Sequence, residues 1–132
     1  MTLGRYLFDT HALIFWATQT NVSDDFIAFF DQQNQRNKIC VSSISFWEIA
    51  FLVQKNRIAI SDIHAWKNEL LYNTNLHLID PSATEMIDST LLPSHHKDPF
   101  DRLLIAQATQ NNLILVTQDE MIARYDVQQL WL

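Results

Sequence analysis

Short apolar runs alternate along this chain with stretches of helical periodicity, and that alternation constrains the fold more than any other feature. Short apolar runs, here of three or four residues, separated by helical segments are the pattern of an α/β domain with a mainly parallel sheet. The pattern predicts strands at 5–9, 38–42, 76–80, 113–117 and, more weakly, 127–131. It predicts helices at 11–18, 23–34, 44–55, 62–73, 82–90, 100–111 and 119–124. At 132 residues the expectation is one domain, long enough to bury a core.

Four acids fall where such a fold would gather them. Asp9 ends the run Tyr6-Leu7-Phe8, and Glu48 lies in the first turns of the helix after Ile39-Cys40-Val41. Asp101 follows His95-His96-Lys97-Asp98-Pro99, and Asp119 comes just after Leu113-Ile114-Leu115-Val116-Thr117. Ligands of open α/β sheets bind beyond the carboxyl ends of the strands, so the four should converge. Close carboxylates repel by on the order of a few kcal/mol per pair at the effective dielectric of a protein surface. A fold that tolerates such a cluster usually holds a cation. No Cys/His spacing suggests zinc, and an all-oxygen set suits Mg²⁺ or Mn²⁺.

Each acid also has a structural alternative. Asp9 could cap the helix starting near Thr10, and Asp119 the helix of Met121-Ile122-Ala123. Glu48 stands three residues after Ser45 and could close a capping box, although Ser42 or Ser43 is an equally good helix start. Asp101 could close a box with Asp98. Asp98, before Pro99, is placed to cap its helix, yet it is near enough to be a fifth acid. His11, directly after the first strand-end acid, is a candidate to line the site.

Composition narrows the functional classes. One Gly leaves little room for glycine-rich phosphate loops, and neither a P-loop nor a dinucleotide fingerprint occurs. The single cysteine, Cys40, excludes an internal disulfide and reads as a buried thiol between Ile39 and Val41. Lys and Arg number 9 against 15 acids, a net charge of −6, so no basic face is advertised; setting the four acids aside leaves −2. Basic residues pair at Arg36/Lys38 and Lys55/Arg57, with Lys97 and Arg102 near the acids. The N-terminus has no signal-peptide pattern and no apolar stretch approaches a membrane span, so a cytoplasmic protein with no membrane partner is expected. Segments 23–34 and 44–55 are apolar around much of their circumference, which suggests burial or a partner surface. Trp16, Trp47 and Trp66 fall in helical patterns and read as core.

Four blocks together resemble a known family: Phe8-Asp9-Thr10-His11-Ala12-Leu13, Ser42-Ser43-Ile44-Ser45-Phe46-Trp47-Glu48-Ile49, His96-Lys97-Asp98-Pro99-Phe100-Asp101-Arg102-Leu103-Leu104, and Leu115-Val116-Thr117-Gln118-Asp119. They look like the acidic motifs of PIN-domain proteins, especially the VapC-type toxins of bacterial toxin–antitoxin pairs, and the resemblance runs from Arg5 to Trp131. It implies a single PIN domain over 1–132, a three-layer α/β/α fold with a four- to five-stranded sheet, and metal-dependent cleavage of RNA. Carried over by motif, Asp9, Glu48, Asp101 and Asp119 match the acidic quartet that binds Mg²⁺ or Mn²⁺, and Thr117 matches the hydroxyl residue accompanying the last acid. The resemblance also implies a cognate antitoxin protein and a homodimer. Lys55-Asn56-Arg57 departs from the pattern, standing where many relatives have a Gly between basic residues. A PIN-type nuclease of RNA processing without an antitoxin, and a non-catalytic RNA-binding PIN module, are the alternatives; a phosphoacceptor domain would need a paired acid after the first strand.

Overall fold

The computed structural model describes residues 5–132. Five strands, β1 (Tyr6–Phe8), β2 (Ile39–Ser42), β3 (His77–Ile79), β4 (Ile114–Val116) and β5 (Gln129–Leu130), form one sheet in the order β3-β2-β1-β4-β5. Every pairing is parallel. Six α-helices connect them: α1 (Thr10–Thr18), α2 (Asp24–Gln35), α3 (Ser43–Gln54), α4 (Ile63–Asn73), α5 (Ala83–Leu91) and α6 (Pro99–Gln110). The segment expected as a last α-helix is instead a 3₁₀ helix at Glu120–Arg124, too short to close a stable α-turn series.

The strand residues read as unbroken apolar runs because both sheet faces are covered. Successive side chains point to opposite faces. Tyr6, Phe8, Ile39 and Val41 face one core with Leu13 and Trp16 of α1, Phe26 and Phe30 of α2, and Phe46 and Ile49 of α3. Leu7, Cys40 and Leu115 face the other, against Leu104, Ile105 and Ala108 of α6. The layers are therefore helix, sheet, helix. Cys40 is buried there, and burial pushes its thiol up to about 11, so it stays protonated and inert.

With so little glycine, asparagine supplies most of the left-handed turns, and Gln19 ends α1 in the same region. Asn37, Asn56 and Asn112 follow α2, α3 and α6 with φ of 60°, 59° and 54°. A short polar side chain tolerates this region best after glycine. Asn56 thus takes a conformation that glycine also adopts, so Lys55-Asn56-Arg57 forms the turn without one.

Strand order reverses at β1, with β2 on one side and β4 on the other. Such a switch point opens a crevice at the carboxyl ends of the strands. Asp9 follows β1 and Asp119 lies shortly after β4, on either side of it. The Asp9 N–H donates to the Val116 carbonyl at 3.1 Å, fixing the two strand ends together.

Candidate active site

Asp9 is the N-cap of α1: its Oδ1 accepts the Ala12 N–H at 2.7 Å. Asp119 caps the 3₁₀ helix in the same way, Oδ1 accepting the Met121 N–H at 2.9 Å. The capping alternative and the site alternative therefore coexist, because each cap occupies one oxygen. Thr117 joins the two acids. It is buried, its Oγ1 accepts the Asp119 N–H at 3.1 Å, and its hydroxyl bonds the Asp9 side chain.

Glu48 is not a capping residue. Ser42 is the N-cap of α3, with its Oγ accepting the Ile44 N–H at 3.3 Å. Glu48 lies a turn further on, where it is held by a residue that sequence reasoning did not single out. The Thr10 hydroxyl donates to Glu48 Oε1 at 2.6 Å and also lies 3.0 Å from Ser45 Oγ. Thr10 directly follows Asp9, so one short segment of α1 positions two of the four acids.

Asp98 is the N-cap of α6, its Oδ1 accepting the Phe100 N–H at 2.8 Å and the Asp101 N–H at 3.4 Å. The box it could form with Asp101 is not closed from the other side. The Asp98 N–H goes to His96 Nδ1 at 3.1 Å, leaving the Asp101 carboxylate to point elsewhere.

His96 is the residue that the sequence concealed. Its Nε2 lies 2.8 Å from Asp119 Oδ2 and 3.0 Å from Asp101 Oδ2. An Nδ1 that accepts a backbone N–H carries no proton, so the ring N–H sits on Nε2 and donates to the two acids. The three side chains could be grouped as a metal-binding set, their donor atoms lying within 4.8 Å of one another. The tautomer argues otherwise. A histidine ligating through Nε2 needs Nδ1 to donate, and here Nδ1 faces a donor. His96 is therefore an orienter of the acids rather than a ligand. Arg102 and Tyr125 hold it in place. Arg102 donates to the carbonyls of Pro93 (2.9 Å), Leu92 (2.8 Å) and His96 (3.0 Å), while the Tyr125 hydroxyl accepts the His96 N–H at 2.8 Å. Arg102 is thus engaged in shaping the loop before α6.

The acids are electrostatically one cluster. Asp9, 6 % exposed, has its pKa raised by burial first and by the charge of Asp119, against the bonds from Ala12 and Thr117 and the proximity of His11. Glu48 is raised by burial, and by Asp98 and Asp9, against the Thr10 bond and His11. Asp101 is pushed up to about 7 by burial, then by Asp98, Asp9 and Glu48, with His96 opposing. His11 itself is exposed at the rim. Among the described residues no Lys or Arg forms a salt bridge with any of the four. Buried and part-buried carboxylates that repel one another and lack a Lys or Arg partner are the environment that a divalent ion relieves. The donors are all oxygen, which fits Mg²⁺ or Mn²⁺.

The apolar helices divide. Phe26 and Phe30 place α2 in the core, but α3 leaves Trp47 59 % exposed and Phe51 at the surface. The expectation that Trp47 is core is wrong, because apolar residues run round more of α3 than the sheet can cover. Trp16 is buried and Trp66 is half-buried against Phe46.

No curated protein matches the sequence significantly. Solved structures do share its fold. A chain of VapBC2 from Rickettsia felis, bound to a DNA fragment from its promoter, superposes with a TM-score of 0.71 at 20% identity, covering 96% of this chain and 98% of that one. A chain of DNA-bound VapBC from Salmonella typhimurium gives 0.72 at 18% identity, covering 96% and 97%. A toxin–antitoxin complex from Klebsiella pneumoniae gives 0.61 at 17% identity, covering 92% of each chain. The sequence matches the PIN-domain family over residues 6–128, and with the acids gathered at the switch point of a parallel sheet, the chain belongs to that family.

Proposed function

We propose that this chain is a metal-dependent endoribonuclease, the toxin of a type II toxin–antitoxin pair. The observation that carries the reading is the cluster of buried and part-buried acids at the sheet's carboxyl edge, with the pKa values of Asp9, Glu48 and Asp101 raised and no Lys or Arg partner among the described residues. Asp9 and Asp101 would hold the ion directly, and Glu48 and Asp119 would complete the shell, partly through water, since Mg²⁺ dehydrates reluctantly. When bound, Mg²⁺ or Mn²⁺ supplies charge against the phosphate and acidifies a water. The chain's own residues do the positioning. Asp9 and Asp119 are fixed by their capping bonds, Glu48 by Thr10, and the free oxygens of Asp101 and Asp119 by His96. Asp98 remains a cap whose charge adds to the field on Asp101.

The partner half of the reading is supported by the kind of structure that shares the fold, toxin–antitoxin complexes, and by two exposed apolar surfaces. One is Trp47 and Phe51 on α3; the other is Met86, Ile87 and Leu91 on α5. These suit an antitoxin and a second copy of the chain. No helix among the described residues is long and apolar enough to cross a membrane, and the reading places the protein in the cytoplasm with its RNA.

Induction of wild type and of Asp9→Asn, followed by sequencing of RNA ends, tests the proposal. Wild type should create new ends and Asp9→Asn none, while the folded domain and its complex with the product of the neighbouring small reading frame survive. Metal-dependent cleavage by purified Asp9→Asn would sink the assignment.

A further inference from the structure

Tyr125 ties the core to the loop that carries His96. Its ring is 7 % exposed and packs in the cluster of Leu7, Leu104, Ile105, Leu115 and Ile122. A buried tyrosine ring leaves a hydroxyl that needs partners. Here the partners belong to segment 92–98, which connects α5 to α6. The hydroxyl donates to the Pro93 carbonyl at 2.7 Å and accepts the His96 N–H at 2.8 Å. Arg102 donates to the His96 carbonyl at 3.0 Å. Both main-chain groups of His96 are thus held by side chains from other elements, and its Nδ1 accepts the Asp98 N–H. With the backbone and one ring nitrogen fixed, little freedom remains for Nε2, which lies 2.8 Å from Asp119 and 3.0 Å from Asp101.

The anchors sit where the acids sit. Arg102 is next to Asp101 on α6, and Tyr125 is the C-cap of the 3₁₀ helix that Asp119 caps at its N-terminus. Each of these two segments supplies one acid and one anchor, and His96 in the loop touches both acids. The loop therefore straps α6 to the 3₁₀ helix across the site. Resting on the nuclease reading above, we infer that Tyr125 is a positioning residue of the acidic site, its hydroxyl setting the separation of Asp101 and Asp119 through the main chain of His96. The consequence falls on the choice of ion. Mg²⁺ needs oxygens at roughly 2.0–2.1 Å in near-ideal octahedral order, whereas Ca²⁺ accepts them at roughly 2.3–2.6 Å in flexible arrangements. A carboxylate pair held at fixed separation favours the smaller ion, and a slack pair loses that preference.

Tyr125→Phe keeps the ring in the core and removes only the hydroxyl. The test titrates Mg²⁺ and Ca²⁺ by calorimetry into EDTA-stripped, full-length wild type, Tyr125→Phe, His96→Ala and the double variant. Tyr125→Phe should lower Mg²⁺ affinity about tenfold, the low end for a lost outer-shell partner, and Ca²⁺ affinity by less than about threefold. The double variant should bind Mg²⁺ within about twofold of His96→Ala alone, because residues that act in series do not add. His95→Ala removes the edge contact on the same ring, centroids 5.3 Å apart, and leaves the hydroxyl; it should bind both ions as wild type does. Folded Tyr125→Phe with wild-type Mg²⁺ affinity overturns the inference. So do equal losses for the two ions, losses that multiply in the double variant, or the same loss in His95→Ala, since each makes the hydroxyl a general support of the fold. His96→Ala alone gives a second reading that leaves the core untouched: its preference should shift toward Ca²⁺, and an unshifted ratio overturns the mechanism. Absence of Mg²⁺ binding by wild type sinks the metal-dependent reading and this inference with it. The expected binding pattern without RNA cleavage by wild type sinks the nuclease reading alone.

Discussion

Glu85 and Asp101 occupy the third position of two neighbouring helices, α5 and α6, which pack against each other. Both follow a capping residue by three, Ser82 in one helix and Asp98 in the other. At α5 the box closes. The Ser82 N–H donates to Glu85 Oε1 at 2.8 Å, and Asn111 donates to Oε2 at 2.7 Å, so both oxygens of an acid 7 % exposed are satisfied by the protein. At α6 the reciprocal bond is taken by His96, and Asp101, 19 % exposed, is left facing other acids with its pKa raised to about 7 by burial. The spacing is the same and the outcome opposite. A buried acid whose oxygens all accept from fixed local donors is architecture; one denied the N-cap N–H and set among like charges is available for chemistry.

The largest expected effect separates the pair by activity. Asp101→Asn should lower RNA cleavage by at least about a hundredfold, the scale of losing ~3 kcal/mol of transition-state stabilisation. Glu85→Gln should leave it unchanged, and a similar loss in both would break the comparison. Next comes His96. Its substitution by Ala should cost about tenfold to a hundredfold in cleavage, as loss of an orienting partner of a metal ligand does. His96→Gln, which restores a side-chain N–H donor, should recover part of the loss; equal loss in both would make the ring's role merely one of packing.

Stability against pH sharpens the contrast further. Below the ordinary carboxylate range Asp101 is protonated in folded and unfolded chains alike. Between that range and about 7 the folded chain keeps a proton that the unfolded chain releases, so stability falls as pH rises through this window. Asp9 and Glu48, also raised by burial, act in the same direction. Metal-free protein in EDTA should melt higher at pH 5 than at pH 7.5, roughly a one- to three-unit span of titration. Mg²⁺ or Mn²⁺ should narrow the gap by favouring the ionised acids, and so should Asp101→Asn. Denaturant melts at both pH values check this.

Glu85→Gln should destabilise by about 1–2 kcal/mol through the weakened box, with no dependence on metal. The smallest effect tests the rule itself. Gln107 on α6 is fully buried, with neither amide atom partnered among the described residues, yet it lies in the core away from the helix start. Gln107→Met should stabilise by about 1 kcal/mol with activity retained. Lost cleavage would give Gln107 a role at the site.

Most of the fold is legible in the sequence because both periodicities are strong. The alternating cores explain why β1, β2 and β4 read as continuous apolar runs, and why the exposed edge strand β3 and the two-residue β5 are the weaker signals. The acids are legible for a similar reason, since Asp9 and Asp119 follow strands, Glu48 lies on the helix after β2 and Asp101 opens α6 behind a marked cap. Which oxygen serves a cap and which remains free is a matter of angles, and spacing does not carry it. His96 was hidden because its meaning depends on Asp119, 23 residues away across the sheet edge. Its place two residues before Asp98 and five before Asp101 was the available clue. Thr10 was hidden because its partner Glu48 is on another helix. Trp47 misled because helical periodicity identifies an apolar face without saying whether anything covers it.

The central claim is that the acids the protein satisfies only in part, with no Lys or Arg beside them, form a divalent-metal site. Calorimetric titration of Mn²⁺ into purified wild type, Glu85→Gln and Asp101→Asn tests it most directly, because it needs no substrate. Wild type and Glu85→Gln should bind Mn²⁺ alike, and Asp101→Asn should bind at least about tenfold more weakly, the scale of one lost charged ligand. Equal binding by wild type and Asp101→Asn, or none by wild type, would contradict the account.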